Sequence, residues 1–255
     1  MAHRKYTYCD FSQEQPNTLF ETGAITVGAG TDNTTSHWRT SRGAYFEVRN
    51  EQTNADIQFT KDAQGWVIPC DNADNDGIEI TQGIQATTTP MSFTIGTSPA
   101  FFIDCIFDIP DVSDYDVAYV GFRTLAAYAD ALNSPANLLA GYTNMMGLNV
   151  NAGNIDAIIA TSDASVADTA TDTTANWADT EQNRLRINVS GAGVITYQYA
   201  VGGVSALYSG STLTTWGTTY TAVTGQVVVP SLIFVKGAAA ADTPPILVKY
   251  RCGLA

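Results

Sequence analysis

Two aspartates, Asp104 and Asp108, stand four positions apart in the apolar run FFIDCIFDI (101–109). Paired carboxylates are what acid–base hydrolysis of a glycosidic bond requires. Alternation puts both on one face of a strand, opposite Ile103, Cys105, Phe107 and Ile109. Along that strand they are separated by roughly 13 Å, whereas a retaining pair stands about 5–5.5 Å apart and an inverting pair about 6.5–9.5 Å. They cannot serve one another, and their expected role is the polar outer face of a half-buried strand. A nucleophilic triad needs a histidine. Only His3 and His37 exist, with no motif around either. The expectation is a protein without catalytic residues.

Metal chemistry has one candidate. DNADNDGIEI (71–80) places Asn72, Asp74 and Asp76 at alternate positions before Gly77, the front half of a calcium loop built of hard oxygen ligands. The position for the bidentate glutamate holds Gly83, and Glu79 comes too early to replace it. Asp and Asn before a strand also cap turns through their side chains, and a turn is the expected reading. The four cysteines, Cys9, Cys70, Cys105 and Cys252, show no CxxC spacing for zinc, so buried thiols are expected. No cofactor is expected. For sugar stacking the chain offers Trp38, Trp66, Trp177 and Trp216, and Tyr115 between Asp114 and Asp116. Aromatics on strands more often pack in the core, and Trp66 in GWVIP is expected there.

The elements that must position these residues read as short strands. RLRINVSGAGVITYQYAVGGV (184–204) has apolar residues at every second place: Leu185, Ile187, Val189, then Val194, Tyr197, Tyr199 and Val201. The Gly-containing SGAG between the runs suits a hairpin turn, and Gly202-Gly203 makes a second turn. Its outward Arg184, Arg186, Asn188 and Gln198 are expected to be ordinary polar positions. Similar runs occur at 5–11, 44–48, 56–60, 65–69, 78–81, 91–95, 101–109, 117–122, 145–150, 154–161, 205–210, 226–236 and 245–254. One helix is expected, TLAAYADAL (124–132), ended by Pro135. Segments 28–43, 162–180 and 237–245 read as surface loops, and no composition break divides the chain, so one domain over 1–255 is expected.

The 255 residues are 45% hydrophobic, enough for one sizeable core. Twelve Lys+Arg against 25 Asp+Glu give a formal charge of −13, which argues against nucleic acid and anionic membranes as partners. From Asp62 to Asn183 there are seventeen acids and one base, Arg123. No apolar run reaches membrane-spanning length, and MAHRKYTYCDF lacks an apolar leader region, so synthesis in a cytoplasm with no standard secretion route is expected.

From Met91 onward the pattern is that of a family. WADTEQNRLRINVSGAGVITYQYAVGGV, FFIDCIFDIPDVSDYDVAYVGF and PSLIFVKGAAAADTPPILVKYRCGLA resemble segments of concanavalin A-like sandwiches, the laminin-G and lectin-like jelly rolls. The resemblance implies an all-β fold, a jelly-roll sandwich of two antiparallel sheets with little helix, whose first and last strands are neighbours. Together with the acidic chain and its Ala/Thr/Gly loops, it is also similar to tailed-phage virion proteins, especially head decoration or cement proteins. That similarity implies a structural protein on the capsid surface, partnered by the major capsid protein or other virion proteins and by further copies of itself, often as a trimer. The alternative is a carbohydrate-binding or host-attachment module of the same fold. Neighbouring terminal strands would bring KYTYCDF beside VKYRCGL. Cys9 and Cys252 could then be disulfide-bonded if they lie directly opposite, at about 4.5–5.5 Å between Cα atoms, and would otherwise stay buried thiols.

Overall fold

Alternation of apolar and polar residues turns strand after strand into a ribbon with one inward face. In the computed structural model of the chain, residues 6–10, 25–27, 34–39, 45–50, 57–68, 77–82, 91–126, 135–161, 168–203, 212–237 and 244–255 are described. They form β1 (Tyr6–Asp10), β2 (Ile25–Val27), β3 (Thr34–Arg39), β4 (Tyr45–Asn50), β5 (Ile57–Lys61), β6 (Trp66–Val67), β7 (Gly77–Thr81), β8 (Phe93–Thr94), β9 (Phe101–Asp108) and β10 (Tyr115–Thr124). Then follow α1 (Pro135–Gly141), β11 (Met145–Asn151), β12 (Asn154–Ala160), β13 (Thr169–Asn176), β14 (Gln182–Val189), β15 (Val194–Ala200), β16 (Thr214–Thr215), β17 (Tyr220–Thr221), β18 (Val227–Lys236) and β19 (Ile246–Leu254).

The strands make two sheets. The first runs β16-β15-β14-β9-β19-β6-β5-β2, with β1 also on β19 and β17 on β15. The second runs β13-β12-β11-β10-β18-β7-β4-β3, with β8 also on β18. The ladders of the central strands are antiparallel, and β1 pairs β19 as expected of terminal neighbours. Between the sheets, Ile103, Cys105, Phe107, Leu185, Ile187 and Tyr197 meet Val120, Phe122, Leu148, Ile155 and Phe234. Each such side chain contributes about 1.5–3 kcal/mol by leaving water. Phe93 stacks on Phe101 at 4.4 Å, and Phe122 meets both edge-on.

Pro230 sits in the middle of β18, a place usually closed to proline. Pairing of β18 with β8 ends at Val228 and pairing with β7 begins at Ser231. The missing donor therefore falls at the gap between two partner strands.

Three sequence expectations change here. Of the expected helix at 124–132, Thr124 ends β10 and 127–132 lie outside the described residues; the helix described is Pro135–Gly141. Proline suits the first turn, where its missing N–H has no partner to lose. Segment 162–180 is not all loop, because 169–176 form the edge strand β13. Segment 28–43 contains β3. Most of 237–245 lies outside the described residues, as does the expected strand at 205–210.

Helix α1 covers the outer face of the second sheet. Leu138 and the following Tyr142 pack on Val117, Tyr119, Met145, Ile158, Ile233 and Val235. Beneath them Gly121 and Gly147 are cross-strand partners. A Cβ on Gly147 would stand 2.5 Å from the Tyr119 ring, so the glycine pair makes room for that ring.

Candidate functional site: an arginine face on the first sheet

The hairpin of β14 and β15 turns Leu185, Ile187 and Tyr197 inward, and its outward residues join their neighbours in rows. Arg186 lies opposite Asp104 on β9, and Asp104 lies opposite Arg251 on β19. Arg184 approaches from the next row, opposite Ile106. Its Nε donates to Asp104 Oδ1 at 2.8 Å and its Nη2 to Oδ2 at 2.6 Å. Arg186 Nη1 donates to the same Oδ2 at 3.3 Å, and Arg251 Nη2 also donates to it. One carboxylate thus gathers three guanidiniums.

Burial grades the three arginines. The Asp104 side chain is 1% exposed and that of Arg184 8%, while Arg186 and Arg251 keep 24% and 31%. Arg186 lies over the Phe102 ring, 4.4 Å from its centroid. Half-burial pulls its guanidinium below its ordinary value, and Asp104 is the main influence opposing that shift. The network runs on sideways. Arg186 Nε donates to Asn188 Oδ1 at 2.8 Å, Asn188 Nδ2 to Gln198 Oε1 at 2.8 Å, and Gln198 Nε2 to Thr215 Oγ1 at 3.0 Å. Polar side chains from five neighbouring strands are linked in one network on one face of the sheet. At this cluster three positive charges meet one negative, in a chain whose formal charge is −13.

Alternation alone puts Asp104 on the outer face of β9 and suggests a solvated side chain there, with Arg184 and Arg186 as ordinary polar positions. The structure corrects both, because Asp104 is enclosed and spent on arginines. The available signal was the R-x-R of RLRIN and the arginine of VKYRC, each at an outward step of its strand.

A second polar cluster lies on the outer face of the second sheet. Glu79 Oε1 accepts from Arg123 Nε at 2.6 Å and from Ser231 Oγ at 2.8 Å, and Oε2 accepts from Tyr142 Oη at 2.6 Å. The Arg123 and Glu79 side chains are both fully enclosed. Glu79 is therefore engaged in an ion pair.

The remaining sequence candidates are dispersed. Asp108 ends β9, away from Asp104, and burial followed by the nearby Asp62 raises its pKa. Its Oδ1 finds no donor among the described residues. Tyr115 is buried in the core with Lys236 Nζ 4.6 Å from its ring centroid, so it presents no surface to a sugar. Trp177 is a core residue tilted against Phe107 with ring centroids 4.6 Å apart, whereas Trp66 and Trp216 are half-buried against the core. His37 falls within β3. Asn72, Asp74 and Asp76, His3 and Cys70 lie outside the described residues.

Two facing antiparallel sheets with paired terminal strands define the class: a lectin-like, concanavalin A-like jelly-roll sandwich. Among solved structures it is similar to lectin II from Ulex europaeus, at 10% identity over 88% of this chain and 100% of that one, with a TM-score of 0.51. It is similar also to lectin UEA-II complexed with galactose, at 8% identity over 90% of this chain and 97% of that one, with a TM-score of 0.51. A looser likeness, with a TM-score of 0.43 at 9% identity over 86% of this chain and 84% of that one, is to alginate lyase A1-II'. No protein-family model matches the sequence, and no curated protein matches it.

Proposed function

We propose that the chain is a non-enzymatic structural protein of a tailed-phage virion, one sandwich domain over 1–255 that decorates the capsid surface. The observation that carries this reading is the arginine face. Asp104 and Glu79 are engaged by internal ion pairs, while Arg186 and Arg251 stay partly exposed on the outer face of the first sheet. Such a face suits adhesion to an acidic surface more than turnover of a substrate. The sequence resemblance to decoration proteins supports the setting, with assembly in the host cytoplasm and residence on the capsid.

Co-sedimentation of the purified protein with capsids lacking it tests this. Saturable binding is expected, weakened by Arg186→Gln with Arg251→Gln. Absence from the pellet at every protein concentration overturns the reading.

The lectin-like sandwich favours a second reading, a carbohydrate-binding or host-attachment module. A glycan array separates the two, since specific sugar binding with no capsid binding would select the module.

A further inference from the structure

The molecule carries an unrelieved acidic pair far from the arginine face. Asp156 on β12 and Asp172 on β13 are direct partners in an antiparallel ladder. Residues so placed have Cβ atoms about 4.5–5.5 Å apart, and like charges there repel. Ile155 and Ala157 point into the main core and Ile158 joins the outer cluster, so Asp156 faces outward from the second sheet. Asp172 Oδ1 accepts the Thr174 amide at 2.7 Å, and no ion pair reaches either carboxylate among the described residues. Burial and then Asp172 raise the Asp156 pKa. Placing two carboxylates opposite each other at a sheet edge costs stability unless a cationic partner arrives.

We propose that the two patches are halves of one contact between copies of this chain: Asp156 and Asp172 of one protomer dock on Arg186 and Arg251 of the next. The match is one of charge. Both guanidiniums converge on Oδ2 of Asp104 from the strands on either side of β9, and the two carboxylates face each other across adjacent strands. Arginine and carboxylate pair with directional, charge-assisted hydrogen bonds. Both patches sit on paired strands, so no backbone ordering is needed for docking. The patches look outward from opposite sheets, so one chain cannot satisfy itself. Because the two surfaces differ, the contact is head-to-tail and closes into a ring or propagates. The contact draws on the same outward arginines as the capsid reading, so a protomer whose arginines hold another copy has none left for a capsid, and the contact is tested without capsids.

The test is the mass of the full chain by sedimentation velocity, at rising protein concentration and at low and high salt. The wild type is expected to assemble at tens of micromolar and to dissociate near 1 M salt, where the screening length is about 3 Å. Arg186→Gln with Arg251→Gln, and separately Asp156→Asn with Asp172→Asn, are expected to be monomers. An equimolar mixture of the two variants is expected to give a one-to-one dimer, because each keeps the half that the other has lost. A wild type that stays monomeric overturns the proposal, and so does a mixture that stays monomeric. Variants that assemble as the wild type does also overturn it. If the arginine variant fails to fold, the acidic variant decides alone, since an assembled Asp156→Asn, Asp172→Asn protein is incompatible with the contact. A monomeric wild type that still pellets with capsids removes this contact and leaves the decoration reading standing. Assembled protein that ignores capsids does the reverse.

Discussion

Cys9 lies opposite Tyr250 and Cys252 lies opposite Thr7, so the two sulfur-bearing residues share a face of the first sheet and miss each other by two positions. Diagonal neighbours of this kind stand about 7–8 Å apart, whereas disulfides need Cα atoms within about 4.4–6.8 Å. The strand adjacency expected from sequence is present, and the register decides against the bridge. Cys105 flanks Tyr250 from the other side, and none of the three cysteines is in a disulfide. Burial pushes the Cys105 and Cys252 thiols up, which leaves little thiolate to react. Alkylation of the native protein should therefore spare Cys9, Cys105 and Cys252, and alkylation after unfolding without reductant should label them all. A Cys9–Cys252 linked peptide in the mass spectrum would contradict this.

Removing Asp104 should be among the most damaging single changes. Asp104→Ala leaves three arginines facing one another, one of them nearly enclosed. Breaking a buried ion pair on one side costs about 3–5 kcal/mol. Arg251→Ala removes a more exposed partner and should cost clearly less. Denaturant titration of both variants measures the difference, and equal losses would refute the assigned hierarchy.

Gly147→Ala should destabilise the second sheet although it adds a single methyl group. That methyl meets the Tyr119 ring and the Val120 carbonyl, and Tyr119 is tethered by a 2.8 Å hydrogen bond from its hydroxyl to the Phe122 carbonyl. Overpacking of this sort costs about 1–3 kcal/mol. Thermal unfolding of Gly147→Ala against Gly147→Ala with Tyr119→Phe tests the account, since loosening the tether should recover part of the loss.

Asp108 gives a pH dependence with a definite sign. Its folded pKa is raised, by burial first and then by Asp62, so the ionised form is disfavoured in the folded state. The penalty is absent below the unfolded value, about 3.9, and reaches full size as pH rises through the folded value. Asp108→Asn should therefore raise stability at neutral pH, and the gain over wild type should vanish in acid. Denaturation midpoints of the two proteins across pH 3–8 measure it. A gain that grows on acidification would overturn the assignment.

The fold was readable because its central strands keep strict alternation. FFIDCIFD, RLRINV and VKYRCGL announce an inward face, and the terminal strands meet as the resemblance implied. β13 was hidden because an edge strand has little to bury. Among Thr169–Asn176 only Thr173 is fully enclosed, so no apolar rhythm marks it. The arginine face was hidden for a different reason. Alternation tells which residues point outward and is silent about which strands lie side by side. Asp104 becomes enclosed only when two strands from distant segments flank it in one register, and register is a property of the sheet.

The sequence separations within the Asp104 cluster carry a kinetic consequence. Arg184 follows Asp104 by 80 residues and Arg251 by 147. At about 5–20 residues per second of synthesis, the last arginine arrives roughly 7–30 s after the aspartate. Until then β9 has one flank open and its carboxylate hydrated, and the sheet cannot close. Long-range closure of this kind is slow. The nascent chain spends that interval with an apolar central strand lacking a neighbour, a window in which chaperone binding or aggregation competes with completion of the sheet.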